Sequence, residues 1–180
     1  ELDSTLAAPH ASLGYCRFYF DWDWAEAEQE FRRALALNPN YELAYDWYGT
    51  YLTAMQRYDE AITIFRKAAS LDPLSVPIQT NIGFSYYYGT KYDSALKELQ
   101  TSVHMNPAFN LSRLWLSRTY QAMKMYPESI LEGTTSLEIV PDWPVALAQI
   151  GNVYGLAGKR MEALKILDNM KSLASKKFVT

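Results

Sequence analysis

The apolar and polar positions of this chain follow the period of an α-helix. Between Asp23 and Pro39 the apolar side chains recur at steps of three, four and three residues: Trp24, Ala27, Phe31 and Ala34. This spacing places them on one face of a helix. Asp23 and Glu26 stand at its predicted start, where an aspartate accepts hydrogen bonds from free backbone N–H groups and a glutamate reaches back. The stretch therefore predicts a capped helix that buries one face.

The same pattern returns every 34 residues. A proline closes each of four copies: Pro39, Pro73, Pro107 and Pro141. Small residues recur in the first half of each copy (Gly49, Gly83, Ser117, Gly151) and in the second half (Ala27, Ala61, Ala95, Ser129, Ala163). Small side chains let two helices approach closely, and a proline cannot continue a helix. Each copy thus predicts two antiparallel helices, and copies must stack because one pair cannot bury its apolar face alone.

The predicted array covers residues 7–175, with repeats at about 7–40, 41–74, 75–108, 109–142 and 143–175. Residues 1–6 are interpreted as the end of an upstream repeat or a linker, and 176–180 as a tail. Ser4 and Pro39 are 35 residues apart, so we place one inserted residue in the turn 20–23. The larger side chains expected to fill the space between helices are Phe31, Phe65, Leu99 and Leu167.

Composition excludes several classes of function. The net charge of −3 lacks the basic balance of a nucleic-acid-binding protein, and no apolar run approaches the ~20 residues of a membrane span. The lone Cys16 is expected to be a buried thiol and slightly favours a reducing, cytoplasmic compartment. No metal-ligand spacing or catalytic set is present. We therefore expect no metal, no cofactor, no membrane insertion, no nucleic-acid binding by this fragment and no enzyme activity.

The second copy of the repeat matches the residue pattern of one known family. The matching residues are Tyr45, Tyr48, Gly49, Leu52, Ala61, Phe65, Ala68 and Pro73. At these positions the chain resembles the tetratricopeptide repeat (TPR) family. The resemblance implies an all-α, right-handed superhelical solenoid of antiparallel helix pairs, about five repeats long. It further implies a non-catalytic scaffold for protein–protein interaction.

A second resemblance rests on residues 20–24, Phe-Asp-Trp-Asp-Trp, followed by Ala27 and by the Leu-Asn-Pro-Asn run at 37–40. This arrangement is similar to repeat domains at the C-terminal end of bacterial multidomain regulatory proteins. It implies an alternative function, a self-association or regulatory module of a larger signalling or transcription-regulating protein.

The TPR resemblance also implies where a ligand binds, because the first helices of such repeats line a concave groove. The residues that fall at groove positions are Tyr15, Tyr19, Asp46, Trp47, Thr50, Asn81, Phe84, Tyr88, Trp115, Arg118 and Asn152. An alternative interpretation is that many of these aromatic residues pack between helices as ordinary core. Asp46 has the wrong charge for the carboxylate clamp of some family members, so we predict no binding of an acidic C-terminal tail. An aromatic groove suits a peptide or protein segment with an apolar anchor.

Overall fold

The structure is a computed structural model that describes residues 6–177, with side chains up to Ser175. In this range the chain forms ten α-helices and no β-strand. They are α1 (Ala7–Cys16), α2 (Trp24–Leu37), α3 (Glu42–Ala54), α4 (Tyr58–Leu71), α5 (Val76–Tyr88), α6 (Tyr92–Met105), α7 (Asn110–Ala122), α8 (Tyr126–Ile139), α9 (Pro144–Leu156) and α10 (Arg160–Lys177). The all-α prediction is confirmed. The predicted end segments, 1–6 and 176–180, lie almost wholly outside the described residues, and the repeat boundaries stay a prediction.

The helices divide into two compact units. Unit 1, Glu1–Lys91, contains α1 to α5, and unit 2, Tyr92–Thr180, contains α6 to α10. In unit 1, α1 packs on α2, α3 packs on α4, and α5 packs on α4. In unit 2, α6 packs on α7, α7 on α8, and α9 on α10. The first helices of successive pairs also lie side by side, α1, α3 and α5 in unit 1 and α7 and α9 in unit 2.

Close helix contact in unit 1 depends on glycine facing phenylalanine. Phe31 and Phe65 are fully buried. A Cβ atom added to Gly49 would lie 2.7 Å from the ring of Phe65, and one added to Gly14 would lie 2.9 Å from the ring of Phe31. Any larger residue would separate the helices of each pair. The predicted role of the small residues is therefore confirmed at Gly49, and Gly14 has the same role in the first helix pair.

Unit 2 solves the same packing problem with different residues. The hydroxyl of Ser117 donates to the backbone oxygen of Ser129 at 2.8 Å, and the hydroxyl of Ser129 donates to that of Ser117 at 2.7 Å. Gly133 occupies the position of the phenylalanine, and a Cβ atom there would lie 2.9 Å from Cδ1 of Ile150. The large side chain now comes from α9. Further fully buried hydroxyl groups in this unit belong to Ser102, Ser112, Thr119 and Ser136.

The extra residue of the first repeat is accommodated in a π-helical turn, Arg17–Asp21, that continues α1. The N–H of Asp23 donates to the carbonyl of Arg17 at 3.0 Å, and the chain leaves the turn through Trp22 at φ 58°. A π turn contains one residue more than an α turn. The insertion thus begins earlier than the predicted 20–23. The aspartate half of the predicted capping pair is present, since the N–H of Glu26 donates to Asp23 Oδ1 at 3.2 Å.

A left-handed backbone residue ends the first helix of each pair. These residues are spaced by 34 and have φ values from 58° to 73°: Trp22, Gln56, Thr90, Lys124 and Gly158. Only glycine adopts this conformation without steric cost. Four of the five turns therefore retain local strain, most severely at the β-branched Thr90.

An ion cluster around Glu28 joins α2 to the next helix pair. Arg57 Nη1 donates to both carboxylate oxygens at 2.8 and 2.9 Å. Arg32 Nη2 donates to Oε1 at 2.8 Å, and the hydroxyl of Tyr48 donates to the same oxygen at 2.9 Å. Burial opposes ionisation of Glu28, but the bonds from Arg57, Arg32 and Tyr48 outweigh it and lower its pKa to about 2. The cluster holds repeat one against repeat two.

Three side chains lie differently from the sequence-based expectation. Trp24 was expected on the buried face of α2 but is 46% exposed, because its ring faces a surface cleft. Leu167 is 46% exposed, because within residues 6–177 no later helix covers the outer side of α10. Cys16 is exposed on α1 rather than buried. At each of these positions the helix was predicted correctly, but the neighbouring element that was expected to cover the side chain was not.

Candidate functional site

Four of the predicted groove residues come together on the first helices of unit 1. The rings of Tyr15 and Tyr19 lie 4.4 Å apart between centroids, and those of Tyr15 and Trp47 lie 4.9 Å apart. Tyr19 remains 44% exposed. Burial raises the pKa of Tyr19, and neighbouring Tyr15 and the charge of Asp46 raise it further. These four residues form what we call the Asp46 cluster.

Asp46 of α3 is bonded across to α5. Asn81 Nδ2 donates to Asp46 Oδ1 at 2.8 Å, so two predicted groove residues 35 positions apart are direct partners. Burial raises the pKa of Asp46, and the Asn81 bond only partly offsets that effect. Thr50 turns its hydroxyl back to the carbonyl of Asp46 at 3.0 Å. The Thr50 hydroxyl is therefore hydrogen-bonded within its own helix, α3.

The first cleft lies beside this cluster, at the ends of α1 and α3. Its volume is about 590 Å³, and its lining residues are Phe18, Tyr19, Trp22, Trp24, Ala54, Met55 and Gln56. Trp22 and the adjacent Phe20 are each 72% exposed. The sequence interpretation missed this cleft, because it assigned Trp24 to the core and treated residues 20–23 only as a turn. The available signal was three aromatic residues within five positions of a turn.

The second cleft adjoins the first. Its volume is about 310 Å³, and its lining residues are Thr53, Ala54, Gln56, Tyr58, Phe84 and Tyr88. Phe84 and Tyr88 are predicted groove residues, and their rings pack edge to face at 4.9 Å. Tyr88 is 46% exposed. Both clefts share Ala54 and Gln56, so they adjoin at the end of α3.

Unit 2 contains a separate polar cleft of about 470 Å³. It is lined by Arg118, Pro144, Val145, Ala148, Gln149 and Asn152, and so includes two predicted groove residues. The guanidinium carbon of Arg118 lies 4.6 Å from the ring centroid of Trp115. Trp115 itself is only 8% exposed. Trp115 therefore packs against the guanidinium group of Arg118 and presents little surface of its own to a ligand.

Neither a metal-binding group nor a membrane-spanning helix is found among the described residues. Residues 6–177 contain no group of three or more His, Cys, Asp or Glu side chains arranged to hold a metal ion. Within the same range, every helix is too short or too polar to cross a bilayer. The candidate contact surfaces are the aromatic clefts of unit 1 and, separately, the polar cleft of unit 2.

A family model described as a tetratricopeptide repeat matches residues 22–76. The fold is similar to a crystal structure of MamA, with 21% identity over 93% of this chain and 97% of that chain, and a TM-score of 0.75. It is similar to PilW, a widely conserved type IV pilus biogenesis factor, with 19% identity over 94% and 78% and a TM-score of 0.84. A third similar structure is YrrB, described as a TPR protein with an unusual peptide-binding site, with 21% identity over 97% and 94% and a TM-score of 0.64. Residues 22–76 thus match a tetratricopeptide repeat, and the 34-residue spacing and the helix pairs continue through the rest of the described residues.

Proposed function

We propose that this chain is a non-catalytic scaffold that binds a peptide or protein segment along the two adjoining clefts of unit 1. The observation that carries the proposal is the exposure of large aromatic rings around one continuous depression. Trp22 is 72% exposed, Tyr88 46% and Tyr19 44%. Exposed aromatic residues gathered around concave surfaces are typical of binding sites, and Trp and Tyr dominate interface energies.

The first cleft suits the apolar anchor of such a segment. Phe18, Trp24 and Met55 supply an apolar lining, and the volume of about 590 Å³ exceeds that of any single side chain. The second cleft then receives a following residue against Phe84 and Tyr88. Since the clefts adjoin at Ala54 and Gln56, one extended segment reaches both.

The cleft of unit 2 is proposed as a separate polar contact surface. Arg118 is held over Trp115, and Asn152 is exposed at the rim. A cation and a carboxamide offer hydrogen bonds to carbonyl or carboxylate oxygens of a ligand. YrrB, a protein with a similar fold, is described as having a peptide-binding site, which supports peptide binding as a class of function.

The test is selection from a random dodecamer display library against the immobilised chain, followed by fluorescence anisotropy on the enriched peptides. Trp22→Ala is expected to weaken their binding by about tenfold or more, because a hot-spot aromatic contributes at least ~1.4 kcal/mol. The matched control is Leu131→Ala on α8, which removes a side chain that is 63% exposed and distant in sequence from the clefts. Failure to enrich any peptide, or binding unchanged by Trp22→Ala, would refute the proposal.

Self-association is the second candidate, and the outer side of α10 favours it. Three apolar side chains there are exposed, Met161 at 66%, Leu164 at 42% and Leu167 at 46%. Sedimentation velocity over a range of concentrations tests it, with Leu164→Glu as the disruptive variant. A species larger than the monomer that Leu164→Glu abolishes would support self-association. Membership of a larger bacterial regulatory protein and a cytoplasmic location rest on sequence resemblance and composition, and belong to this alternative as proposals.

A further inference from the structure

The half-buried carboxylate of Asp46 has one hydrogen-bond partner among the described side chains. Its Oδ1 accepts one hydrogen bond, 2.8 Å from Asn81 Nδ2. Among residues 6–177 no basic side chain forms an ion pair with it. A carboxylate removed from water normally gains a cation or several donors, because its desolvation is otherwise uncompensated. Burial accordingly raises the pKa of Asp46.

Three aromatic side chains pack into a group that includes Trp47, the residue after Asp46 on α3. Tyr15 contacts both Tyr19 and Trp47, with ring centroids 4.4 and 4.9 Å apart. The charge of Asp46 contributes to the raised pKa of Tyr19, so the two groups lie near each other. Aromatic faces attract cations electrostatically, most strongly where water is partly excluded. A carboxylate beside tyrosine and tryptophan rings is suited to bind an ammonium or guanidinium group.

We propose that the Asp46 cluster binds one basic side chain, lysine or arginine, of the segment whose apolar anchor occupies the first cleft. The inference rests on the proposed function and adds the chemistry of the partner. Tyr19 belongs both to the cluster and to the lining of that cleft, so the basic residue and the anchor lie close together in the ligand. The net charge of −3 further favours a cationic partner.

A small probe tests the cation site without any peptide. The indole N–H of Trp47 is followed by NMR in the full 180-residue chain during titration with n-butylammonium, and with neutral 1-butanol in parallel. Butylammonium is expected to give a saturable shift with a Kd on the order of millimolar, and butanol none. Asp46→Asn, which keeps the shape and removes the charge, should abolish saturation. Asp93→Asn, an exposed aspartate of α6, is the matched control and should leave it intact.

A double-mutant cycle then tests whether the basic residue of the ligand contacts Asp46. Peptides selected by the wild-type chain should carry a lysine or arginine at a fixed distance from their apolar residue. Replacing that lysine by norleucine should weaken binding by about tenfold with the wild type and by less than about twofold with Asp46→Asn. Peptides that bind at Trp22 but show no basic residue and no such coupling would overturn the inference and leave the proposed function standing. If no peptide is selected but butylammonium binding is saturable, the proposed function is refuted and the cation site is retained. Equal butylammonium shifts in the wild type and in Asp46→Asn would refute the cation site itself.

Discussion

Replacing Glu28 with glutamine removes one negative charge from the contact between repeats one and two. The carboxylate of Glu28 lies within 2.9 Å of Arg57 Nη1, Arg32 Nη2 and the Tyr48 hydroxyl. Glutamine has nearly the same shape, so the packing of α2 is kept. The substitution therefore isolates the electrostatic contribution of the cluster.

The size of the effect follows from the pKa. A carboxyl whose pKa falls from 4.5 to about 2 on folding stabilises the native state by about 3 kcal/mol when ionised. The side chain is 22% exposed, and screening by solvent reduces the expected loss in Glu28→Gln to about 2 kcal/mol. Since the folded-state pKa lies below the unfolded one, the stabilisation is complete above about pH 4.5. It is lost as the pH falls toward 2.

The assay is urea unfolding followed by far-UV circular dichroism at about pH 7, 4.5 and 3. The difference between wild type and Glu28→Gln should be about 2 kcal/mol at the two higher values and clearly smaller at about pH 3. Glu26→Gln, at an exposed position of the same helix, is the control and should change stability by less than ~0.5 kcal/mol. A difference independent of pH, or one no larger than that of the control, would show that the cluster does not stabilise the contact.

Three further substitutions test the packing and the turns by the same unfolding assay. Phe65→Ala should cost about 3–5 kcal/mol by leaving a cavity, whereas Leu74→Ala, at an 85% exposed side chain, should cost less than ~0.5 kcal/mol; equal losses would contradict the assigned core. Gly49→Leu should cost at least about 1–3 kcal/mol, because a Cβ atom alone would lie 2.7 Å from the Phe65 ring, and an unchanged melting temperature would disprove the close helix contact. Thr90→Gly should stabilise the chain by about 0.5–1 kcal/mol, because φ is 58° at a β-branched residue; a loss of stability would show that the Thr90 side chain compensates for the strain.

Much of the fold was predictable because the repeat determines helix order and helix faces together. Phe31 and Phe65 are buried as their spacing predicts. The exceptions arise where a neighbour, rather than the helix itself, sets the environment. Ile150 packs against Gly133 as Tyr48, its counterpart in the register, packs against Phe31, but the repeat pattern does not indicate how closely it approaches. The left-handed turns also escaped prediction, although Gly158 lies in register with Gln56 and Thr90.

The candidate site was predictable as a set of residues but not as a geometry. Asp46 and Asn81 were each assigned to groove positions, yet their hydrogen bond depends on how α3 and α5 pack, which a repeat pattern does not specify. The first cleft depends on the π turn, which redirects Trp22 toward Met55. The side chains most exposed to a ligand thus follow from a one-residue insertion that breaks the repeat. Which of the assigned residues bind a ligand stays a prediction.

The buried hydroxyl groups of unit 2 have a thermal consequence. Ser117 and Ser129 bond to each other's backbone, and Ser102 and Ser112 lie 2.7 Å apart between hydroxyl oxygens. At the positions of Ser117, Ser129 and Ser102 the 34-residue register places Gly49, Ala61 and Ala68 in unit 1. Exposure of apolar surface on unfolding raises the heat capacity, and exposure of polar surface lowers it. Unit 2 is therefore expected to unfold with a smaller heat-capacity increment per residue and a flatter stability curve. As temperature changes, the balance of stability between the two units shifts, so calorimetry of one chain should resolve two differently curved transitions.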